Sequence, residues 1–255
     1  MYRTCEVMEN RPVCEGFMRV KLAVGDMAKG ALPGQFVMVK CWEGNAPFFM
    51  RPFSVNNADA SAGTMDLLYK IVGCGTGLMQ KLAPGSEMRV MGPLGSSFKI
   101  EAGAARIALI GRGVGAAPMR YLAQKAAQGG IAVHVYLSAS KEEYLFDKAA
   151  YERLGCKVNT TVDPARLVTA YFEADLARHR FDAAYVCGSN RLMRDIKRLM
   201  DTYRFAGYAS LEEHMACGIG ACKGCVCTVR DENGDEHYEK VCKEGPVFAI
   251  ERLVK

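Results

Sequence analysis

The chain has 255 residues, half of them apolar, with 33 basic against 28 acidic side chains and a net charge of +5. That length suits about two domains of roughly 100–150 residues plus a small module. The charges are interspersed, which gives no nucleic-acid-binding stretch, and no run of about 18 apolar residues supplies a membrane helix. Eleven cysteines, an odd number, and a start, Met1-Tyr-Arg-Thr-Cys-Glu, without a charged-then-apolar leader point to a soluble, cytoplasmic chain in a reducing compartment. Cys5, Cys14, Cys41, Cys74, Cys156 and Cys187 are expected as unpaired thiols.

Up to about residue 97 the pattern is β: short stretches punctuated by Gly and Pro. Met18-Arg-Val-Lys-Leu22 alternates apolar with charged, Gln35-Phe-Val-Met-Val39 is denser, and Met65 to Val72 is a third strand candidate. A small barrel is the economical arrangement. Within it, Arg51-Pro-Phe-Ser54, Leu68-Tyr69-Lys70 and Gly75-Thr76 together offer a hydroxyl, an aromatic surface and cations, the groups a flavin ring and its phosphates require. The same residues also read as an ordinary strand start.

From Arg106 strand and helix alternate. Ile107–Ile110, Ala132–Leu137, Lys157–Thr160 and Ala183–Cys187 read as strands; Met119–Gln128, Glu142–Leu154, Leu167–Ala177 and Arg191–Tyr203 read as helices. This is a doubly wound nucleotide-binding pattern. The first strand runs into Gly111-Arg-Gly-Val-Gly115-Ala-Ala-Pro118, where Gly111, Gly113 and Gly115 let a pyrophosphate approach the backbone. Pro118 suits a first helical turn. A plain strand-to-helix turn is the alternative, since the string is not the G-x-G-x-x-G fingerprint. A second glycine turn, Cys187-Gly188-Ser189-Asn190, follows a later strand. Cys187 there is either close to a nicotinamide or a buried thiol.

The C-terminal stretch carries Cys217-Gly-Ile-Gly-Ala-Cys222-Lys-Gly-Cys225 and, at a distance, Cys242. C-x4-C-x2-C with a remote fourth cysteine is the plant-type [2Fe-2S] spacing. Gly218, Gly220 and Gly224 are expected to let the loop curl, with positive φ and N–H groups close to sulfur. Structural zinc prefers two short C-x2-C pairs, and this chain has one. Cys227, two residues beyond Cys225, competes for the third position; spacing favours Cys225. His214 reads as a surface or packing residue, because four cysteines complete the site. Val226–Val229 precedes a hairpin at Asn233-Gly234, with the type I′ preference of that pair.

Taken in order, Arg51-Pro-Phe-Ser, Gly75-Thr76, Gly111-Arg-Gly-Val-Gly-Ala-Ala-Pro and Cys187-Gly-Ser-Asn resemble the ferredoxin–NADP+ reductase superfamily. Ser210-Leu-Glu-Glu-His-Met-Ala-Cys217 through Cys225, with Val241-Cys242-Lys-Glu-Gly-Pro-Val-Phe248, resembles the electron-transfer subunits of class B dihydroorotate dehydrogenases. Arg112 in the glycine turn and Cys227 depart from that pattern. The resemblance implies an FAD-binding antiparallel β-barrel (1–100), an NAD-binding α/β domain (101–208) and a [2Fe-2S] module (209–255). It places FAD on Arg51–Ser54, Leu68–Lys70, Gly75 and Thr76, NAD(H) on the two glycine turns, and the cluster on Cys217, Cys222, Cys225 and Cys242.

The resemblance also implies a relay between NAD(H) and an FMN-containing dihydroorotate-oxidising catalytic subunit in pyrimidine biosynthesis, in a heterotetramer of two of each. Met215, Ile219 and Val247-Phe248 are expected at that interface. Two other readings are a reductase subunit with the same cofactors serving another redox complex, of sulfite-reducing, hydrogenase or transhydrogenase type, and a non-enzymatic zinc-stabilised binding module. NADH over NADPH rests on the resemblance alone, and Lys141 after the second α/β strand tolerates a phosphate.

Overall fold

The computed structural model describes residues 1–162 and 167–254. The N-terminal part forms six strands: β1 (Tyr2–Cys14), β2 (Phe17–Ala23), β3 (Phe36–Lys40), β4 (Arg51–Asp59), β5 (Thr64–Lys70) and β6 (Glu87–Leu94). They close into a barrel of order β1-β2-β5-β4-β3-β6 with every pair antiparallel. Two short helices decorate it, α1 (Met27–Gly30) and α2 (Cys74–Gln80). The barrel is filled by the inward residues of each strand, among them Val7, Leu22, Val37, Leu67 and Val90, all fully buried; each such side chain contributes about 1.5–3 kcal/mol by leaving water.

The second part holds β7 (Arg106–Arg112), α3 (Met119–Gln128), β8 (Ala132–Ser138), α4 (Lys148–Arg153), β9 (Lys157–Thr161), α5 (Val168–Leu176), β10 (Ala183–Cys187), α6 (Asn190–Tyr203) and β11 (Ala206–Ser210). The strands lie in the order β11-β10-β7-β8-β9, all parallel. Chain order therefore reverses between β7 and β10, the crevice where such sheets bind ligands. Both faces are covered, so the strands read as apolar runs rather than alternating ones. In α6 Leu192, Met193, Ile196, Leu199 and Met200 form the buried stripe, the spacing of one helical face.

The helix expected over 142–154 is broken. Residues 142–144 form one 3-10 turn, Leu145 and Phe146 turn inward, and Asp147 takes a left-handed conformation (φ 63°) before α4 begins. The cause is tertiary: Phe146 packs on Phe17 of the barrel at 4.8 Å, and Asp147 meets Arg19.

The C-terminal part contributes β12 (Val226–Arg230), β13 (Glu236–Lys240) and β14 (Val247–Ala249). β12 and β13 form a separate hairpin, whereas β14 adds to the main sheet antiparallel to β11. Val247 and Phe248 are therefore buried inside the sheet, which corrects their expected place on an exposed interface; Ile219 is exposed and Met215 half-buried. The hairpin turn also differs from the type I′ expectation. Only Gly234 has positive φ, and the Asp231 carboxylate accepts the N–H groups of Asn233 and Asp235 at 2.9 Å each, an Asx arrangement that spans a longer loop.

Candidate functional site

A cavity of about 600 Å³ lies where the three parts meet. All the barrel residues proposed for flavin line it: Arg51, Pro52, Phe53, Ser54, Leu68, Tyr69, Lys70, Gly75 and Thr76. Register explains the grouping, because β4 and β5 are adjacent strands and α2 follows directly from β5. The Arg51 guanidinium lies over the Trp42 ring at 5.6 Å and donates to the Phe49 carbonyl at 2.6 Å. Gly75 leaves room for this contact: a Cβ there would sit 3.0 Å from Arg51 Nε and 3.2 Å from Trp42, so the Arg51 side chain would have to shift. Thr76 Oγ1 accepts the N–H groups of Val72 and Gly73 at 2.9 and 3.1 Å, which fixes the first turn of α2. Tyr69 donates to Asn10 at 3.1 Å, and burial pushes its hydroxyl up to about 12, so it stays a donor.

The far wall of the cavity was not legible in the sequence. It is made by Val114 and Ala117 from the glycine turn and by Ser210, Leu211, Glu212, Glu213, His214, Met215 and Pro246. These residues reach the barrel only through the docking of the other two parts. His214 lines this cavity. The nearest sequence signal is their position immediately ahead of Cys217.

Beyond Lys70, Val114 and Glu212, which line both, a second cavity of about 430 Å³ opens over Gly113, Gly115 and Gly188. Gly115 cannot carry a side chain without moving backbone, since its Cβ would lie 3.1 Å from the Cys187 carbonyl oxygen and from Gly188 Cα. Gly111 and Cys187 sit behind this surface rather than on it, both buried at the ends of the paired strands β7 and β10. Burial and the Glu212 carboxylate hold the Cys187 thiol well above its usual range; its Sγ lies 3.9 Å from Glu212 Oε1. Glu212 opens onto the cavity yet is enclosed by protein on most sides, and that enclosure raises its carboxyl above the usual value.

The four cysteines come together as two pairs. All four are free thiols, with the Cys217 side chain next to that of Cys222 and the Cys242 side chain next to that of Cys225. Backbone N–H groups point at the sulfurs: Gly220 to Cys242 at 3.1 Å, Cys222 to Cys217 and Cys242 to Cys225 at 3.4 Å, and Gly224 to Cys222 at 3.5 Å. Burial raises the Cys217 thiol, but the N–H groups of Cys222 and Ile219 outweigh it and bring it down to about 6; burial and the neighbouring Cys225 push Cys242 up to about 12.

Among the described residues no three His, Cys, Asp or Glu side chains converge on a single ion position. Two thiol pairs with N–H groups aimed at sulfur fit a two-iron cluster better than one tetrahedral zinc. Gly218 and Gly220 have φ of 71° and 85°, but Gly224 does not; Lys223, at 57°, takes the third left-handed position. Cys227 lies on β12, buried in the core with Val229, Ile250 and Leu253. Cys222 is exposed, and a Cβ on Gly218 would come within 2.6 Å of Met38, so the loop rests directly on the barrel.

Two family models match this chain: an oxidoreductase FAD-binding domain over residues 4–99, and the iron-sulfur cluster binding domain of dihydroorotate dehydrogenase B over residues 212–254. Curated relatives include the dihydroorotate dehydrogenase B (NAD(+)) electron transfer subunit of Desulforamulus reducens, 33% identical over 90% of this chain and 89% of its own. That of Geobacillus sp. is 33% identical over 97% and 96%, and that of Bacillus cereus 36% over 87% and 86%.

Among solved structures, an NADH-dependent reduced ferredoxin-NADP oxidoreductase superposes with a TM-score of 0.85 at 23% identity, covering 98% of this chain and 89% of its own. Phthalate dioxygenase reductase superposes at 0.64 and 16%, covering 95% and 77%. These two likenesses speak for the fold. With the barrel, the doubly wound sheet and the paired cysteines, the sequence relatives carry the conclusion: this chain belongs to the family of dihydroorotate dehydrogenase B electron transfer subunits.

Proposed function

We propose that the chain relays electrons between NAD(H) and an FMN-containing, dihydroorotate-oxidising subunit, in a cytoplasmic heterotetramer of two of each. Residues 1–100 carry FAD, 101–208 the nicotinamide dinucleotide and 209–255 the [2Fe-2S] cluster. The observation that carries this reading is the shared wall: residues 210–215, which run into Cys217, close the flavin cavity, and Lys70, Val114 and Glu212 join that cavity to the glycine turns. One pocket thus adjoins both electron partners.

When bound, the flavin exchanges hydride with nicotinamide and single electrons with the cluster, which lets two-electron and one-electron carriers work in series. Arg51, already oriented by Trp42 and Phe49, offers its free N–H groups to the pyrophosphate. Ser54 supplies a hydroxyl from β4 and Phe53 an apolar neighbour, backed at 5.7 Å by the Tyr69 ring buried in the barrel core. Gly113, Gly115 and Gly188 clear backbone for the dinucleotide. Cys217, Cys222, Cys225 and Cys242 would hold the cluster, and the N–H groups of Gly220, Cys222, Gly224 and Cys242 would offset negative charge on sulfur. The exposed Cys222 and Ile219 make the face that meets the partner subunit.

The test is reconstitution. The isolated chain oxidises NADH with an artificial acceptor and leaves dihydroorotate untouched; adding the FMN subunit creates NAD+-dependent orotate formation. Dihydroorotate oxidation by the chain alone, or an inactive pair with all cofactors present, overturns the reading.

A further inference from the structure

The flavin cavity and the cavity over the glycine turns form one trough, and residues 210–215 carry its wall into the cluster loop. The remote cysteine, Cys242, comes instead from the turn between β13 and β14. That turn is pinned to the loop: Val241 donates to the Cys225 carbonyl at 2.8 Å, Cys242 N–H points at Cys225 Sγ at 3.4 Å, and Gly220 N–H points at Cys242 Sγ at 3.1 Å. Within it Lys243 and Glu244 both donate their N–H groups to the Lys240 carbonyl, at 3.0 and 2.9 Å.

Three charged side chains flank Cys242 in this turn, and they are not equivalent. Glu244 is engaged with Lys240: one carboxylate oxygen lies 3.2 Å from the Lys240 ammonium, and the other accepts the Lys240 N–H at 2.7 Å. Lys243 has no ion-pair partner among the described residues. Its stem lies across Gly220, where a Cβ would come within 2.9 Å of Lys243 Cδ and 3.2 Å of Lys243 Cβ. An unpaired cation is thus carried on the same glycine whose N–H reaches the Cys242 sulfur.

Nothing nearby cancels it. Residues 216–225 add Lys223 and no carboxylate. On the barrel side the loop meets Met38 and Leu94 at Gly218, and both are uncharged.

When the flavin passes one electron to the cluster, no bond forms or breaks: the flavin is oxidised by one electron, the cluster is reduced by one, and the four-cysteine site gains one unit of negative charge. A cation beside the site favours the more negative form, and net charge is one of the factors that set the potential of such a cluster. We infer that Lys243 raises the reduction potential of the cluster through its unpaired charge, while Glu244 cancels the equivalent contribution of Lys240. This rests on the relay reading for the cluster itself and for the source of its electron.

The experiment uses the full chain purified anaerobically with its cofactors. The cluster is titrated with dithionite in the presence of redox mediators and followed by electron paramagnetic resonance, at low salt and at about 0.5 M salt. Removing one unit charge shifts the one-electron equilibrium about three- to tenfold, which at about 59 mV per tenfold is a change of about 30–60 mV. Lys243→Gln lowers the potential by this amount, and Lys243→Arg keeps it. Glu244→Gln frees the Lys240 charge while retaining an acceptor oxygen, and raises it. Because Lys243 is exposed, high salt shrinks its effect.

Equilibria that agree within about twofold for the unaltered chain and Lys243→Gln at low salt, shifts of the same sign in Lys243→Gln and Glu244→Gln, or a shift that high salt leaves intact overturn the inference. Should Lys243→Gln fail to hold its cluster, Glu244→Gln is read alone against the same criteria of sign and salt. If NADH bleaches the flavin but raises no cluster signal, the relay reading fails, and the dithionite titration still decides this inference.

Discussion

Asp147 joins the two large parts of the molecule, and its removal is the sharpest test of how the trough is held. Its side chain, 4% exposed, accepts from Arg19 of β2 at 2.5 Å and from Asn56 of β4 at 3.1 Å, and Arg120 of α3 stands 3.9 Å away. Arg120 also reaches Asp66 of β5 at 3.5 Å and Asn56 at 3.2 Å. Asp147→Ala strands Arg19 in a site where it is only 15% exposed, and breaking a buried pair on one side costs about 3–5 kcal/mol. The left-handed backbone at 147 adds about 1–2 kcal/mol for alanine, which Asp147→Asn avoids.

For a chain of this size each kcal/mol lowers Tm by about 2–4 °C, so loss of the pair predicts a fall of roughly 6–20 °C. Thermal unfolding followed by near-UV circular dichroism and by flavin release reads both consequences, because the same junction shapes the cavity wall at Val114 and Ala117. Arg19→Met combined with Asp147→Asn loses less than the sum of the two single variants, since no charge is left stranded. A drop of less than about 2 °C in Asp147→Ala, or strict additivity in the pair, would refute the reasoning.

Three further outcomes are expected. Serine at Cys217, Cys222, Cys225 or Cys242 lowers iron content and visible absorbance, whereas Cys227→Ser keeps both; loss of cluster in Cys227→Ser with retention in Cys225→Ser reverses the ligand assignment. Arg51→Ala weakens flavin retention about tenfold or more while iron stays bound, and flavin at the wild-type level in that variant removes the phosphate contact. Glu212, whose carboxyl is raised above its ordinary 4.5 by enclosure, is neutral below its folded pKa and negative above it. The KM for NADH measured with an artificial acceptor therefore rises as pH climbs through that pKa, because a carboxylate beside the trough repels an anionic dinucleotide. Glu212→Gln lacks this limb, and superimposable profiles for the two proteins count against it.

Much of the architecture was legible in the sequence because it depends on local pattern. The parallel strands show as apolar runs, α6 as a helical stripe from Leu192 to Met200, and the cluster loop as cysteine spacing with glycines. Where neighbours compete with local preference the sequence misleads. Glu142–Leu154 has helical character, yet Phe17 and Arg19 pull Phe146 and Asp147 out of the helix. Val247-Phe248 reads as an apolar surface but completes a sheet with β11. Asn233-Gly234 favours a tight turn, but Asp231 offers its carboxylate to the loop instead.

The chemistry divides in the same way. Residues close together in sequence, such as Arg51–Ser54, Gly111–Gly115 and Cys217–Cys225, stand out as motifs, since each set lies on one loop or strand. The sequence by itself thus determined the parts and what each can hold. Only the tertiary structure decided that residues 210–215 wall the flavin cavity and that Glu212 borders two cavities. Those juxtapositions arise from the packing of separate layers, and no local periodicity or spacing encodes which distant side chains a docked surface brings within reach.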